Sequence, residues 1–354
     1  MTKIKPRQLE TLRKQMMTKK DKPEFVTNTG RLLHLIHTQQ FTHELMHDFF
    51  KIANKARQLS TSAIGASFLK NCLPNMRALL YFVQPSTRTF LSFESAASIL
   101  GISTARVTST RTSSELKGET PFDSVHTFAM YHDLIIIRYP EPGFAEQCAT
   151  QFLESDVSKH IINGGSGMDQ HPTQALLDVY TLHREFLKRG GVDGKRIMFV
   201  GDLARGRAAR SLIYLLCKYN DVKVDLVAPD SLKLKDDMKK YMTKHGIKFR
   251  ESDSMLGFSK EADAVYMTRI QDEYDNEFSP GDIDYSAYTL TQDVIASLKP
   301  NCIVMHPLPR REEIPVSFDA DPRSRYWEQV ENGMWARVAL IAHILECDLK
   351  IKSA

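Results

Sequence analysis

YFVQPSTRTFLSFESAASILG, residues 81–101, begins as a β-prone apolar run and continues as a helix. Tyr81, Phe82 and Val83 predict a short buried strand, and Gln84-Pro85 breaks it. The hydroxyls of Ser86 and Thr87 are then placed to accept from the free N–H groups that open a helix. Phe90, Phe93, Ala97 and Leu100 recur at helical spacing, with Ala96 beside them. Arg88 falls in the first turn, at the positive pole of the helix dipole, where a cation is disfavoured by about 0.3–1 kcal/mol. A broken local rule of this kind has two readings. One is an anion site in which N–H groups, hydroxyls and a guanidinium face one phosphate-sized volume. The other is an ordinary capped helix whose arginine turns to solvent or to a carboxylate.

The chain of 354 residues is longer than one typical domain, which predicts two. With 42% hydrophobic and 25% charged residues its composition is that of a globular protein. No apolar run approaches the ~20 residues that span a bilayer, so no membrane partner is expected. Of the net charge of +4, residues 1–24 hold eight Lys or Arg against three acids, which leaves the remainder close to neutral. That distribution argues against a nucleic-acid-binding body and makes the first thirty residues a basic, solvated extension. The extension has neither the apolar core of a signal peptide nor the serine-rich composition of a transit peptide. Five widely spaced cysteines, Cys72, Cys148, Cys217, Cys302 and Cys347, form no disulfide framework and suit a reducing cytoplasm.

Downstream, a helix is expected to start near Thr42, and within it His43-Glu44-Leu45-Met46-His47 matches the zinc signature H-E-x-x-H. A zinc hydrolase built on His43, Glu44 and His47 is therefore a rival reading, although the continuation that supplies a third ligand is missing. Residues 109–120, STRTSSELKGET, read as a polar surface loop containing Lys117. DLIIIRYPEPG, residues 133–143, is an apolar strand with Arg138 at its carboxyl end, where ligands bind in open α/β sheets. A glycine-rich turn leads to His171, with Pro172 at a first helical position and Gln174 just inside. Beyond Gly194, apolar strands near 197–201, 222–228, 264–269 and 302–306 alternate with helical or polar stretches, the pattern of a parallel doubly wound domain. The first ends in GDLARGR, which is not the dinucleotide fingerprint; the third ends with Arg269 and Gln271; the fourth ends with prolines on both sides of Leu308. The apolar helix at 332–347 needs a large surface to pack against.

Five motifs in one order, Ser86-Thr87-Arg88-Thr89, Lys117-Gly118-Glu119-Thr120, Arg138, His171-Pro172-Thr173-Gln174 and His306-Pro307-Leu308-Pro309-Arg310, resemble the aspartate/ornithine carbamoyltransferase family over roughly residues 31–350. GDLARGR and YMTRIQ are similar to its aspartate branch; the cysteine and Ser-Met-Gly that mark the ornithine branch are absent. The resemblance implies two doubly wound parallel-sheet α/β domains with the active site between them. It divides the chain into a basic extension (1–30), a carbamoyl-phosphate-binding domain (31–170), a connecting helix (171–190), an aspartate-binding domain (191–330) and a C-terminal helix returning to the first domain (331–354).

The implied activity is transfer of a carbamoyl group from carbamoyl phosphate to L-aspartate in pyrimidine biosynthesis, with ornithine or another amine as the alternative acceptor. By the same resemblance Ser86, Thr87, Arg88 and Thr89 hold the phosphate. Thr89, Arg138 and His171 donate to the carbonyl oxygen, and Gln174 orients the carbamoyl NH2. Arg207 takes the α-carboxylate of aspartate, Arg269 and Gln271 its side-chain carboxylate, and Leu308 offers its backbone carbonyl. Ser113 and Lys117 complete a neighbour's site in a homotrimer, and a regulatory chain is a partner the family admits. No cofactor or metal is implied. Arg205 beside Arg207, Tyr139 after Arg138 and the N-terminal extension depart from the family pattern.

Overall fold

A computed structural model describes residues 25–27, 30–109, 118–167, 170–270 and 285–354. Ser113, Lys117, Gln271 and most of the basic extension lie outside the described residues. Two parallel sheets organise the chain. The first has strands β1 (Arg77–Phe82), β2 (Ser103–Val107), β3 (Leu134–Arg138) and β4 (His160–Asn163) in the order β2-β1-β3-β4. The second has β5 (Arg196–Val200), β6 (Lys223–Val227), β7 (Lys248–Ser252), β8 (Ala264–Met267) and β9 (Ile303–Met305) in the order β7-β6-β5-β8-β9.

Both faces of each sheet are covered, and the period-two alternation of the strands shows how. Leu80, Phe82, Leu134, Ile136 and Ile162 point into one core, while Leu79, Tyr81, Ile135, Ile137 and Ile161 point into another, beneath the helices Pro121–Tyr131 and Phe144–Glu154. In the second sheet Ile197, Phe199, Val224, Leu226 and Tyr266 share the first of these cores, whereas Met198, Val200, Val227, Val265 and Met267 form a third. One hydrophobic core therefore runs through both domains. Five helices matter to the site: α1 (His43–Leu59), α2 (Thr87–Ile99), α3 (Pro172–Phe186), α4 (Arg207–Leu216) and α5 (Tyr326–Ile344). α5 is buried on nearly every side and packs against α1, α2 and α3, so the chain's last long helix returns to the first domain.

The sequence and the structure differ at several points. The alternation misses β2, β4 and β7. β2 and β7 are sheet edges with exposed positions and no apolar run, and β4 is four residues long. β3 ends at Arg138, because the prolines that follow cannot continue the ladder. The Ser86 hydroxyl makes no cap bond to α2, so the first-turn N–H groups are not satisfied by the serine side chain assigned to them. α5 begins at Tyr326, earlier than its apolar run suggests, and ends at Ile344. Among the described residues no helix is long and apolar enough to cross a membrane.

Candidate active site

Each sheet has a switch point where the chain, having added strands on one side, crosses to the other; these are β1/β3 in the first sheet and β5/β8 in the second. Crevices open there at the carboxyl ends of the strands, and both crevices face one cavity of about 660 Å³. The first crevice contributes Ser86, Thr87, Arg88 and Thr89 from the start of α2, Arg138 from the end of β3, and His171 and Gln174 from the start of α3. The second contributes Arg205 from the loop after β5, Arg207 from the start of α4, Arg269 after β8 and Leu308 after β9. All the described candidates named from the sequence, except the zinc-signature histidines and glutamate, thus meet in one place.

Local geometry explains their fixation. Arg138 is 8% exposed, and its Nη1 donates to the Gly164 carbonyl at 3.1 Å. Gly165 has a φ of +94°, and a Cβ there would come within 2.8 Å of both Arg138 Nη1 and His171 Cδ2, so glycine is what lets these two side chains close on each other. His171 precedes Pro172, the first residue of α3, and its backbone N–H donates to Ser211 Oγ on α4 at 3.0 Å. Burial first, then the charges of Arg207, Arg138 and Arg337, hold its imidazole well below the ordinary histidine range. His171 is accordingly a neutral ring at physiological pH, able to donate one N–H but not to act as an acid of pKa near 7.

In the second domain, Gly201 has a φ of +109°, and a Cβ there would fall 2.1 Å from the Thr268 carbonyl oxygen. This close approach at the β5 exit starts the loop that carries Arg205 and Arg207 into the cavity. Arg205 is partnered by buried Asp202, with Nε 2.7 Å from Oδ2, and Arg207 Nη1 donates to the Gly167 carbonyl. Leu308 has a φ of +55° and precedes a cis peptide bond to Pro309. Its N–H donates to His306 Nδ1 at 2.7 Å, while His306 Nε2 lies 2.9 Å from Glu313 Oε1. Arg88 makes no hydrogen bond or ion pair with the described residues; burial and the nearby charge of Arg269 both lower its guanidinium pKa. Among the described residues that line it, the cavity has Arg88, Arg138, Arg205, Arg207 and Arg269 and no Asp or Glu, the lining of an anion site.

Sequence reasoning missed a group on α5. Arg337 is 3% exposed, lines the cavity, and donates to Ser92 Oγ and the Gly333 carbonyl, both at 3.0 Å, with its guanidinium 4.9 Å from the centre of the Phe93 ring. Burial lowers its pKa to about 10 despite the counter-charge of Asp178. The available signal was one arginine within an otherwise apolar run, Trp335 to Ile341. Asp178 and Gln329 were missed as well.

The zinc reading is corrected. His43 and His47 lie one turn apart on α1 with ring centroids 4.4 Å apart, packed against Tyr219 and His183, and neither lines the cavity. Glu44 is exposed, and among the described residues no group of three His, Cys, Asp or Glu side chains is arranged to hold a metal. The motif is a helical face packed with aromatic rings.

The carbamoyl-P binding domain of aspartate/ornithine carbamoyltransferases matches residues 33–184, and the Asp/Orn binding domain of the same family matches residues 193–344. Aspartate carbamoyltransferase 1, chloroplastic, of Pisum sativum is 40% identical over 313 residues, covering 88% of this chain and 78% of its own. The catalytic subunit of M. jannaschii aspartate transcarbamoylase superposes with a TM-score of 0.78 at 33% identity, covering 89% of this chain and 98% of its own. Trypanosoma cruzi aspartate transcarbamoylase in complex with carbamoyl phosphate and aspartate gives a TM-score of 0.76 at 30% identity, with 92% and 99% covered.

Proposed function

The chain belongs to the aspartate/ornithine carbamoyltransferase family, and on that premise we propose that it transfers the carbamoyl group of carbamoyl phosphate to the amine of L-aspartate, giving N-carbamoyl-L-aspartate and phosphate. The observation that carries this reading is the meeting, in one cavity, of a helix N-terminus bearing Arg88 with Arg138 and His171 and with Arg207 and Arg269 of the second domain.

Each part of the cavity suits one part of the substrates. Ser86, Thr87, Arg88 and Thr89, at the positive end of α2, take the phosphate dianion. Arg138, neutral His171 and Thr89 donate to the carbonyl oxygen, which becomes an oxyanion as the amine attacks. Gln174 receives the carbamoyl NH2. Arg207 and Arg269 present guanidinium forks to the two carboxylates of aspartate, Gln271 shares the role of Arg269, and the Leu308 carbonyl accepts from the ligands. The amine nitrogen forms a bond to the carbamoyl carbon, the carbon–oxygen bond to phosphate breaks, and the departing phosphate takes the proton from the amine. No side chain is a nucleophile; proximity and fixed charge carry the step without a cofactor.

The acceptor is tested by supplying carbamoyl phosphate with aspartate, ornithine or another amine and identifying the product. N-carbamoyl-aspartate is the expected product, and citrulline from ornithine would reassign the chain to the other branch. Ser113 and Lys117 form part of this reading as residues lent across a subunit boundary in a homotrimer. Mixing inactive Arg88→Ala subunits with inactive Lys117→Ala subunits should then restore part of the activity, whereas silent hybrids of verified composition would refute sharing. A place in pyrimidine biosynthesis and a cytoplasmic location complete the proposal; the pea relative is a chloroplastic protein.

A further inference from the structure

The carboxylate of Asp178 has no part in the roles assigned above, yet it is 0% exposed and adjoins the cavity through Gln174, one turn earlier on α3. Three donors from three elements converge on it. Gln174 Nε2 reaches its Oδ1 at 2.9 Å, Gln329 Nε2 from α5 reaches the same oxygen at 2.6 Å, and the Tyr266 hydroxyl from β8 reaches Oδ2 at 2.6 Å. An ionised carboxylate only accepts, so it satisfies all three. The orientation of Gln329 is fixed independently, because its Oε1 accepts from the His306 backbone N–H at 2.9 Å and leaves Nε2 for Asp178. With Nε2 drawn to Asp178, the other end of the Gln174 amide, the acceptor Oε1, is what it offers to the cavity it lines.

We infer that Asp178 is a positioning residue that holds Gln174 with its acceptor toward the substrate, and so selects a carbamoyl group, whose NH2 donates there, over an acetyl group of the same shape. This rests on the proposed function, since it concerns the donor half of the same site. Acetyl phosphate places a methyl group where carbamoyl phosphate has NH2. A site built around a hydrogen bond rejects the analogue that lacks it, because the buried acceptor is left unpaired. Asp178→Asn keeps the shape but introduces an N–H2 among three donors. Gln174 and Gln329 both line the cavity, but Gln329 is buried and held by the His306 N–H, whereas Gln174 is partly exposed, and turning its amide over relieves the clash. Its donor then faces the substrate NH2.

The groups that face Asp178 are Gln174 on α3, Tyr266 on β8, and Gln329 and Arg337 on α5. Burial pushes its carboxyl up to about 7, against the pull of the hydrogen bonds from Tyr266, Gln329 and Gln174 and the charge of Arg337. Above that pH the acceptor arrangement is intact, and below it a proton on Asp178 competes with the Gln174 donor.

The test compares wild type, Asp178→Asn and Tyr266→Phe by the KM for carbamoyl phosphate and the inhibition constants of acetyl phosphate and inorganic phosphate. Asp178→Asn should raise the carbamoyl phosphate KM about 10- to 100-fold and leave both inhibitors within about twofold, so that the preference for carbamoyl over acetyl falls by the same factor. Parallel weakening of all three ligands, or of none, would overturn the inference. If Asp178→Asn does not fold, Tyr266→Phe decides, because it removes a donor that holds the carboxyl pKa down. The pH below which carbamoyl phosphate binds poorly should then move up, and an unmoved profile would overturn the inference. A wild type that forms no N-carbamoyl-aspartate would remove the proposed function itself, a result distinct from an active wild type whose selectivity ignores position 178.

Discussion

Arg88→Ala should lower kcat/KM for carbamoyl phosphate by about 10³-fold or more while shifting the melting temperature by no more than about 2 °C. Arg88 is solvent-accessible at the first turn of α2 and makes no hydrogen bond or ion pair with the described residues. It stands near a like charge, Arg269, at the helix pole that already disfavours a cation. Removing it therefore breaks no contact that folding depends on and relieves some repulsion. The bound phosphate, by contrast, loses a bidentate charge-assisted partner. Each such bond contributes about 1.5–3 kcal/mol, and a factor of 10³ corresponds to about 4 kcal/mol. Steady-state kinetics together with a thermal melt separate the outcomes. A melting temperature lowered by ten degrees or an insoluble product would make Arg88 a structural residue and leave the phosphate without its principal partner.

Much of this architecture was written in the apolar strands and helix starts, and the parts that were not have a common cause. β3, β5, β8 and β9 are buried on both faces, so each announces itself as an apolar run that a turn then breaks. Unlike β9, an edge that is buried throughout, β2 and β7 are edges whose exposed residues carry polar side chains such as Ser103, Arg106 and Glu251. Their identity as strands comes from the neighbour they hydrogen-bond to, which a local window does not contain. The same division applies to the site. Arg88 and Arg138 were legible because each breaks a local expectation, a cation at a helix N-terminus and a charge at the end of an apolar strand.

Asp178 and Gln329 break no local expectation. A carboxylate and an amide on helices look solvated until tertiary packing of α3 against α5 and β8 closes over them. His43 and His47 failed in the opposite direction. The spacing was right for a metal, but the partners brought to it by the fold are Tyr219 and His183 rings instead of a third ligand with an open coordination position. A motif placed on a helix fixes only which residues share a face, and the chemistry is decided by what packs opposite.

Arg269→Ala should reduce kcat/KM for aspartate by about 10²- to 10³-fold and leave the KM for carbamoyl phosphate within about threefold. Arg269 follows β8 on the second domain, and Arg88 starts α2 on the first, so their mutual repulsion acts across the cavity. Binding of the phosphate dianion and the aspartate carboxylates between the two guanidinium groups offsets that repulsion. Truncating one partner of a desolvated charge pair costs about 2–5 kcal/mol, which brackets the expected loss. Arg269→Lys retains the charge but not the fork, so it should recover only part of the activity. Melting curves recorded with and without aspartate, in the presence of phosphate, complete the measurement. The wild type should gain stability on adding aspartate, and Arg269→Ala should gain little. If the variant instead lost carbamoyl phosphate affinity while keeping its response to aspartate, Arg269 would belong to the phosphate half of the cavity, and the acceptor carboxylate would have to be assigned to Arg207 or Arg205.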